Sequence, residues 1–372
     1  MYPVFPKAVG NLFPLSMAIK NQAGVLSPAI FIGGNVSVKL YLDSGYVNIK
    51  EIIGLGLPFN FCVGGRATGK TYTSLKTVKE EGIKFFFMRR TQAQADLINK
   101  PEFSPFKSIN RDNGWDIQSK PITKYNAGFY DGESETPIGY SGALSTISNI
   151  RGFDAQEIDL LIYDEFIPER HERPIKNEGS ALLNAYETIN RNRELNGKKP
   201  LQLLCLANAN DISNPIFMEL RLVAIAERMR KKGQEIYINR ERGIGIFMLS
   251  ESPISRLKGE TALYKLTSGS EFHRMSIDNS FIGCDYENVV KRPLIEYKPV
   301  VAIGEICIYS HKNSGKLYIS THISGSPKQY SSSESDIARF QKAYFWIWEE
   351  YMANNIEFEE VLCEILLTKY FR

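Results

Sequence analysis

The octapeptide Gly64-Gly65-Arg66-Ala67-Thr68-Gly69-Lys70-Thr71 constrains this chain more than any other stretch. It satisfies the phosphate-loop pattern G-x-x-x-x-G-K-[ST], and it stands between an apolar run, Phe59 to Val63, and a helix candidate, Lys70 to Glu80. Such a loop works only where a buried strand runs directly into a helix. The glycines let backbone N–H groups converge on phosphate oxygens, and the helix N-terminus adds positive potential. In that frame Lys70 reaches the β and γ phosphates of ATP and Thr71 ligates Mg2+. A chance glycine-rich turn would need neither flank. Arg66 is not required by the loop, and either touches phosphate or pairs with an acidic neighbour.

Three further apolar runs follow: Ile83 to Met88, Leu160 to Tyr163 and Leu201 to Leu206. Continuous runs of this length suit parallel strands buried on both faces. Helix candidates alternate with them, notably Ala181 to Arg193, so the expected class is α/β with crossover connections. The run IDLLIYDEF ends in Asp164 and Glu165 at a strand's C-terminal tip, where open α/β sheets bind ligands. Asp164 would hold the hydrated magnesium, and Glu165 would polarise the attacking water as general base. The strand Ile83 to Met88 falls between the two motifs, which points to the ATPase branch with an additional strand and a catalytic glutamate. No N-K-x-D guanine motif accompanies them, which argues against a GTPase.

Polar amides follow the last run, in Ala207-Asn208-Ala209-Asn210. Asn208 is read as a γ-phosphate sensor in preference to an ordinary Asn turn, and Asn210 less so. Arg191 and, second to it, Arg193 follow the stretch ALLNAYETINR and are candidates for an arginine finger reaching a neighbouring subunit's nucleotide.

Composition limits the partners. With 45 basic and 42 acidic residues the formal charge is +3, so any grip on nucleic acid must be local. Lys198 with Lys199, and Lys231 with Lys232, are the candidate contacts to a DNA backbone, which needs scattered cations and no base reading. The five cysteines are odd in number and never in C-x-x-C spacing, which argues against a disulfide framework and fits a reducing cytoplasm. No window offers the ~18 uninterrupted apolar residues of a membrane span.

The organisation expected is an N-terminal segment over 1–45 with no readable role, a P-loop ATPase domain over 46–212, a helical linker over 213–243 and a C-terminal domain over 244–372. The linker rests on the helical spacing in NPIFMELRLVAIAERMRKK. In the last part, PVVAIGEICIYS and KLYISTH flank Lys312-Asn313-Ser314-Gly315, a β-hairpin signal. Asp336 to Tyr370 reads as one or two amphipathic helices covering a sheet.

Taken together, GGRATGKT, FFFMRRT, SNIRGFDAQEIDLLIYDEF and ANANDISNP resemble the ordered motifs of viral large-terminase ATPases over residues 46 to about 215. The phosphate-loop arginine and Arg89-Arg90-Thr91 are the features that carry this likeness. Chain size and the short C-terminal part are similar to the DNA-packaging motors of small protein-primed podoviruses. That resemblance implies an ATP-driven translocase of double-stranded DNA, acting as a ring, often a pentamer, at the portal (connector) of a procapsid in the host cytoplasm, with a packaging RNA as a further partner it admits. It also implies a trans arginine finger after the Walker B helix, for which Arg191 ranks first. In headful-packaging relatives the last domain is an RNase H-like nuclease whose two metals need converging carboxylates. Here Asp278, Asp285, Glu287 and Glu305 form no such cluster, so a degenerate nuclease fold of α+β type without cutting activity is expected. Two rivals stay open: a cellular or plasmid DNA helicase or translocase, and a terminase whose C-terminal nuclease is active.

Overall fold

The computed structural model describes residues 38–150, 156–169, 172, 175–209, 211–249, 252–270, 273, 276 and 288–371. Two sheets organise them. The larger has nine strands: β1 (Phe59–Gly64), β2 (Phe85–Arg89), β3 (Ile117–Pro121), β4 (Ala127–Asp131), β5 (Gly139–Ala143), β6 (Leu160–Asp164), β7 (Gln202–Asn208), β8 (Ile236–Asn239) and β9 (Ile244–Leu249). Their spatial order is β3-β4-β5-β2-β6-β7-β1-β9-β8. The six strands from β5 to β9 in that order are parallel, while β3, β4 and β8 add antiparallel edges.

The apolar runs behave as two-faced strands should. Phe86, Met88, Leu161, Tyr163, Phe61, Val63, Leu203 and Cys205 enter one core. Their neighbours Phe85, Phe87, Leu160, Ile162, Cys62, Leu204 and Leu206 enter the other. Each such side chain contributes roughly 1.5–3 kcal/mol of burial, so a one-residue slip of any central strand would exchange two full sets of contacts. The first core is covered by the helices Glu178–Asn190, Pro215–Glu219 and Val223–Lys232. Over the second lie Ile49–Gly54, Lys70–Glu80, Gln92–Ile98 and Lys107–Asn113.

Three expectations need correction. Ile244–Leu249 does not open a second domain: as β9 it pairs in parallel with β1 from Phe59 to Gly64 and closes the phosphate-loop strand on its far side. All six of its residues are buried: Ile244, Ile246 and Met248 enter the first core, and Phe247 and Leu249 the second. The stretch Asn214 to Lys232 is not one linking helix. It breaks at Leu220–Leu222, where Arg221 has φ +55°, and both pieces pack their apolar sides on the sheet. The helix expected over Ala181 to Arg193 runs from Glu178 to Asn190 and stops at Arg191, whose φ of +47° and ψ of −134° cannot continue it.

The smaller sheet contains β10 (Tyr297–Ile303), β11 (Ile306–His311), β12 (Leu317–Ser320), β13 (Lys328–Tyr330) and β14 (Ile356–Phe358), in the order β13-β10-β11-β12-β14. The hairpin read around Lys312–Gly315 joins β11 to β12. PVVAIGEICIYS is itself a second hairpin, turning at Gly304 (φ +52°) and Glu305. The C-terminal helices are Glu334–Met352 and Val361–Phe371, with β14 between them, and Phe340, Ile347, Cys363 and Leu367 bury against the sheet. Of the four carboxylates considered for a nuclease, Glu305 sits in the β10–β11 turn, 3.5 Å from Arg221. Asp278, Asp285 and Glu287 lie outside the described residues, as does Asn210.

Candidate nucleotide site

The phosphate loop leaves β1 at Gly64 and enters its helix at Gly69, and both positions are closed to a side chain. Gly69 has φ +83°, and a Cβ there would meet the Tyr46 ring at 2.7 Å. A Cβ on Gly64 would meet Leu249 Cβ of β9 at 2.6 Å. Backbone from Tyr46 onward is fastened to the loop, since Val47 N–H donates to Thr68 O at 3.0 Å. Ala67 completes the turn with φ +60°.

Lys70 is buried at the centre. Its Nζ donates to Gly65 O at 2.7 Å, Gly64 O at 3.1 Å, Thr68 Oγ1 at 3.2 Å and Asn208 Oδ1 at 3.3 Å. Desolvation pulls its pKa from 10.5 to about 8. Asn208 reaches the lysine because β7 is registered on β1 so that Gly64 and Asn208 are partners.

β6 brings the acidic pair to the same end of the sheet. Thr71 Oγ1 lies 3.1 Å from each carboxylate oxygen of Asp164. A hydroxyl and a carboxylate presented together are a hard-oxygen set of the kind Mg2+ takes alongside phosphate and water, so the residues present fit that ion. Glu165 follows with φ +57°, a conformation costly for a residue with a Cβ. Burial raises its pKa, Asp164 adds to the rise, and Arg89 opposes it.

Arg89, at the tip of β2, spans both acids: it donates to Asp164 Oδ2 at 2.9 Å and pairs with Glu165. Arg90 points the other way and is fully buried. It forms a fork on Glu178, at 2.8 and 2.9 Å, and reaches Glu172 at 3.1 Å, while Tyr163 Oη donates to Glu178 at 2.7 Å. Arg66 pairs with Glu169.

The sequence pattern did not single out Lys258 or Tyr46. Lys258, on the helix Pro253–Gly259, donates to Arg66 O at 2.6 Å. Neither contact has a local signal, since the partners are 23 and 192 residues apart.

The two finger candidates part company. Arg193 is buried and held by Asp159 and by Ile158 O at the foot of β6, which removes it as a group able to reach another subunit. Arg191 is exposed, beside an open pocket of about 350 Å³ that Asn192, Asn196 and Lys198 also line. It lies at the N-terminal ends of the strands, near Leu201, whose N–H is capped by Asn190 Oδ1. The phosphate loop is at their C-terminal ends. Lys198, Lys199, Lys231 and Lys232 are all exposed, and Lys231 is 3.4 Å from Glu227.

A phosphate loop whose lysine meets a strand-end amide, and whose threonine meets a strand-end aspartate, on a mainly parallel α/β sheet defines a P-loop ATPase. More narrowly, the chain belongs to the podovirus DNA encapsidation protein (Gp16) family, whose model matches residues 42–351. It is 25% identical over 307 residues to the DNA packaging proteins of Bacillus phages PZA and phi29, covering 78% of this chain and 84% of each of those. With the DNA packaging protein of Bacillus phage B103 it shares 28% identity over 229 residues, 60% of this chain and 64% of that one. Among solved structures, the bacteriophage Phi-29 viral genome packaging motor assembly matches with a TM-score of 0.60 at 20% identity, covering 88% of this chain and 99% of that one. The Phi-28 gp11 DNA packaging motor matches with a TM-score of 0.56 at 18% identity, covering 88% and 97%. At those identities the structural likeness speaks for the fold.

Proposed function

We propose that this protein hydrolyses ATP to drive double-stranded DNA into a viral procapsid, in a ring of like subunits at the portal. The observation that carries the reading is the meeting of Lys70, Thr71, Asp164, Glu165 and Asn208 at the C-terminal tips of adjacent strands, in a chain of the encapsidation family. The strand order supports the additional-strand, catalytic-glutamate subtype, because β7 stands between β1 and β6. The strand read between the two motifs, β2, stands instead outside β6.

In this reading Lys70 exchanges its carbonyl partners for β and γ phosphate oxygens. Thr71 and Asp164 hold Mg2+, which when bound neutralises charge on those oxygens. Glu165 orients water and takes its proton, and Asn208 reports the γ-phosphate to β7. Arg89 keeps both acids paired before substrate arrives, so Glu165 must leave that arginine before it can act as base. Arg191 serves the next subunit's nucleotide: it is exposed, at the opposite end of the strands from its own phosphate loop. We read the 46–249 region as the ATPase and the small sheet as a degenerate nuclease-like domain without cutting activity, whose partners include the portal and a packaging RNA.

Steady-state ATP turnover by wild type and Glu165→Gln, each alone, with duplex DNA and with single-stranded DNA, tests the reading. Duplex-stimulated turnover that is lost in the variant is expected. Preference for single strands or forks would favour a helicase, and metal-dependent nicking a nuclease. Mixing Arg191→Ala with Glu165→Gln subunits should restore part of the turnover, and absence of rescue would remove the trans role.

A further inference from the structure

The hairpin joining β3 to β4 has been given no task. Its tip and flanks, Gln118-Ser119-Lys120-Pro121-Ile122-Thr123-Lys124-Tyr125-Asn126-Ala127, contain two lysines and no acidic residue. Pro121 through Lys124 are exposed. Neither lysine forms an ion pair among the described residues. Instead each lies over an aromatic ring, Lys120 at 5.0 Å from the Tyr130 centroid and Lys124 at 5.5 Å from that of Tyr125. Lys231, by contrast, has Glu227 beside it.

The tip is stiff. Thr123 Oγ1 accepts from the N–H groups of Tyr125 and Asn126 at 3.1 and 3.2 Å, and Asn126 O accepts from Ile122 and Thr123 at 2.9 and 3.1 Å. It also stands at the catalytic end of the sheet. Ala127 pairs with Ser141 of β5, two residues before Ala143, which pairs with Arg89. Gln92 ties the two together: its Nε2 donates to Tyr125 O at 3.3 Å, and its Oε1 accepts from Thr146 Oγ1 at 2.5 Å. Only Arg90 and Thr91 separate Gln92 from Arg89, the side chain that holds Asp164 and Glu165.

We propose that this hairpin tip grips the phosphate backbone of duplex DNA through Lys120 and Lys124, with Gln92 as the positioning residue that links the grip to Arg89. The proposal rests on the DNA-translocation reading above. Phosphates of a duplex are the chemistry that two exposed cations on a rigid, acid-free loop suit, since a motor must hold DNA without reading its bases. When Arg89 gives up Glu165 to substrate, the end of β2 and the first turn of the next helix move with it, and the tip follows through the Gln92 tether.

The test is duplex DNA binding by the full chain across a salt series, with ATP turnover measured in parallel. For Lys120→Ala/Lys124→Ala, loss of two phosphate contacts should lower the slope of log K against log salt by about 1.8. The affinity gap between wild type and variant should therefore shrink about 12-fold between 50 and 200 mM salt. Turnover without DNA should be unchanged. Gln92→Ala should keep its DNA affinity and lose the DNA-stimulated part of kcat.

An unaltered slope in the lysine variant, with wild type binding duplex normally, overturns the proposal while leaving the translocase reading standing. Aggregation of that variant without change in DNA affinity would also overturn it, marking the lysines as guards of an exposed sheet edge. Failure of wild type itself to bind or respond to duplex would refute the underlying reading. Competition by double-stranded RNA with no effect of duplex DNA on the same lysines would assign the tip to RNA and reject the proposal. Full DNA stimulation in Gln92→Ala would overturn the tether.

Discussion

Nucleotide binding should take up a proton, and the site of uptake is Lys70. In the free protein its ammonium has four uncharged oxygens within reach, and burial brings its pKa to about 8. Bound phosphates supply the opposite charge that burial lacks, so the pKa should return toward the 10.5 of an ordinary lysine. With those two values, uptake is about 0.1 proton at pH 7, about 0.5 at pH 8 and about 0.9 at pH 9. Affinity for a non-hydrolysable ATP analogue should fall about tenfold from pH 7 to pH 9. The sign for the free fold is the reverse: its lysine pKa is depressed, so stability from this group rises with pH between about 8 and 10.5. Calorimetric titration in buffers of different ionisation enthalpy reads the proton count directly. The phosphates are already ionised in this range, so they do not mask it. Zero uptake at pH 8 and 9, or release, would refute the argument that Lys70 waits partly neutral.

Three other outcomes follow from contacts around the site. Arg89→Ala removes the cation that opposes the rise in the Glu165 pKa, so the acid limb of the kcat/KM profile should move to higher pH; an unmoved limb would separate Arg89 from the base. Gly69→Ala should cost at least about 1–2 kcal/mol in urea unfolding from its left-handed backbone alone, and Tyr46→Ala in the same chain should recover only the further steric part. Arg90→Met leaves the Glu178 carboxylate buried without its fork and should cost about 3–5 kcal/mol, whereas adding Glu178→Leu should return much of it; equal losses in single and double variants would mean the pair is not coupled.

Much of the candidate nucleotide site is legible because its parts are contiguous. Gly64 to Thr71 and Leu160 to Glu165 are single runs whose residue types are demanded by one ligand, and the strands beneath them announce themselves by unbroken apolar runs. What could not be read depends on where the chain returns. Ile244–Leu249 carries the same apolar signal as any strand, and nothing local says that it joins β1, 180 residues earlier in the sequence, and not the sheet that follows it. Arg191 and Arg193 look equivalent in ETINRNRE. Only the placement of Asp159 and Ile158 O against the second of them makes one a buried strut and leaves the other outside. Likewise the Gly304-Glu305 turn lacks the polar run that marked Lys312–Gly315, because two residues suffice to reverse the strand.

The tip of β2 shows how such returns are put to use. In FFFMRRTQ the apolar run ends in side chains that leave the strand in different directions: Arg89 to the nucleotide-side acids, Arg90 to the buried Glu178 beneath, and Gln92 to the β3–β4 hairpin. Alternation along the strand dictates that adjacent arginines cannot share a face, so one residue type serves two unlike ends. Arg89 makes contacts at the mouth of the candidate site, with Asp164 and Glu165. Arg90 makes contacts that must persist, since a guanidinium fully out of water survives only while its carboxylate fork is intact. The helix Gln92–Ile98 begins directly beyond this anchored arginine, capped by Thr91 and with Ala95 and Ile98 buried.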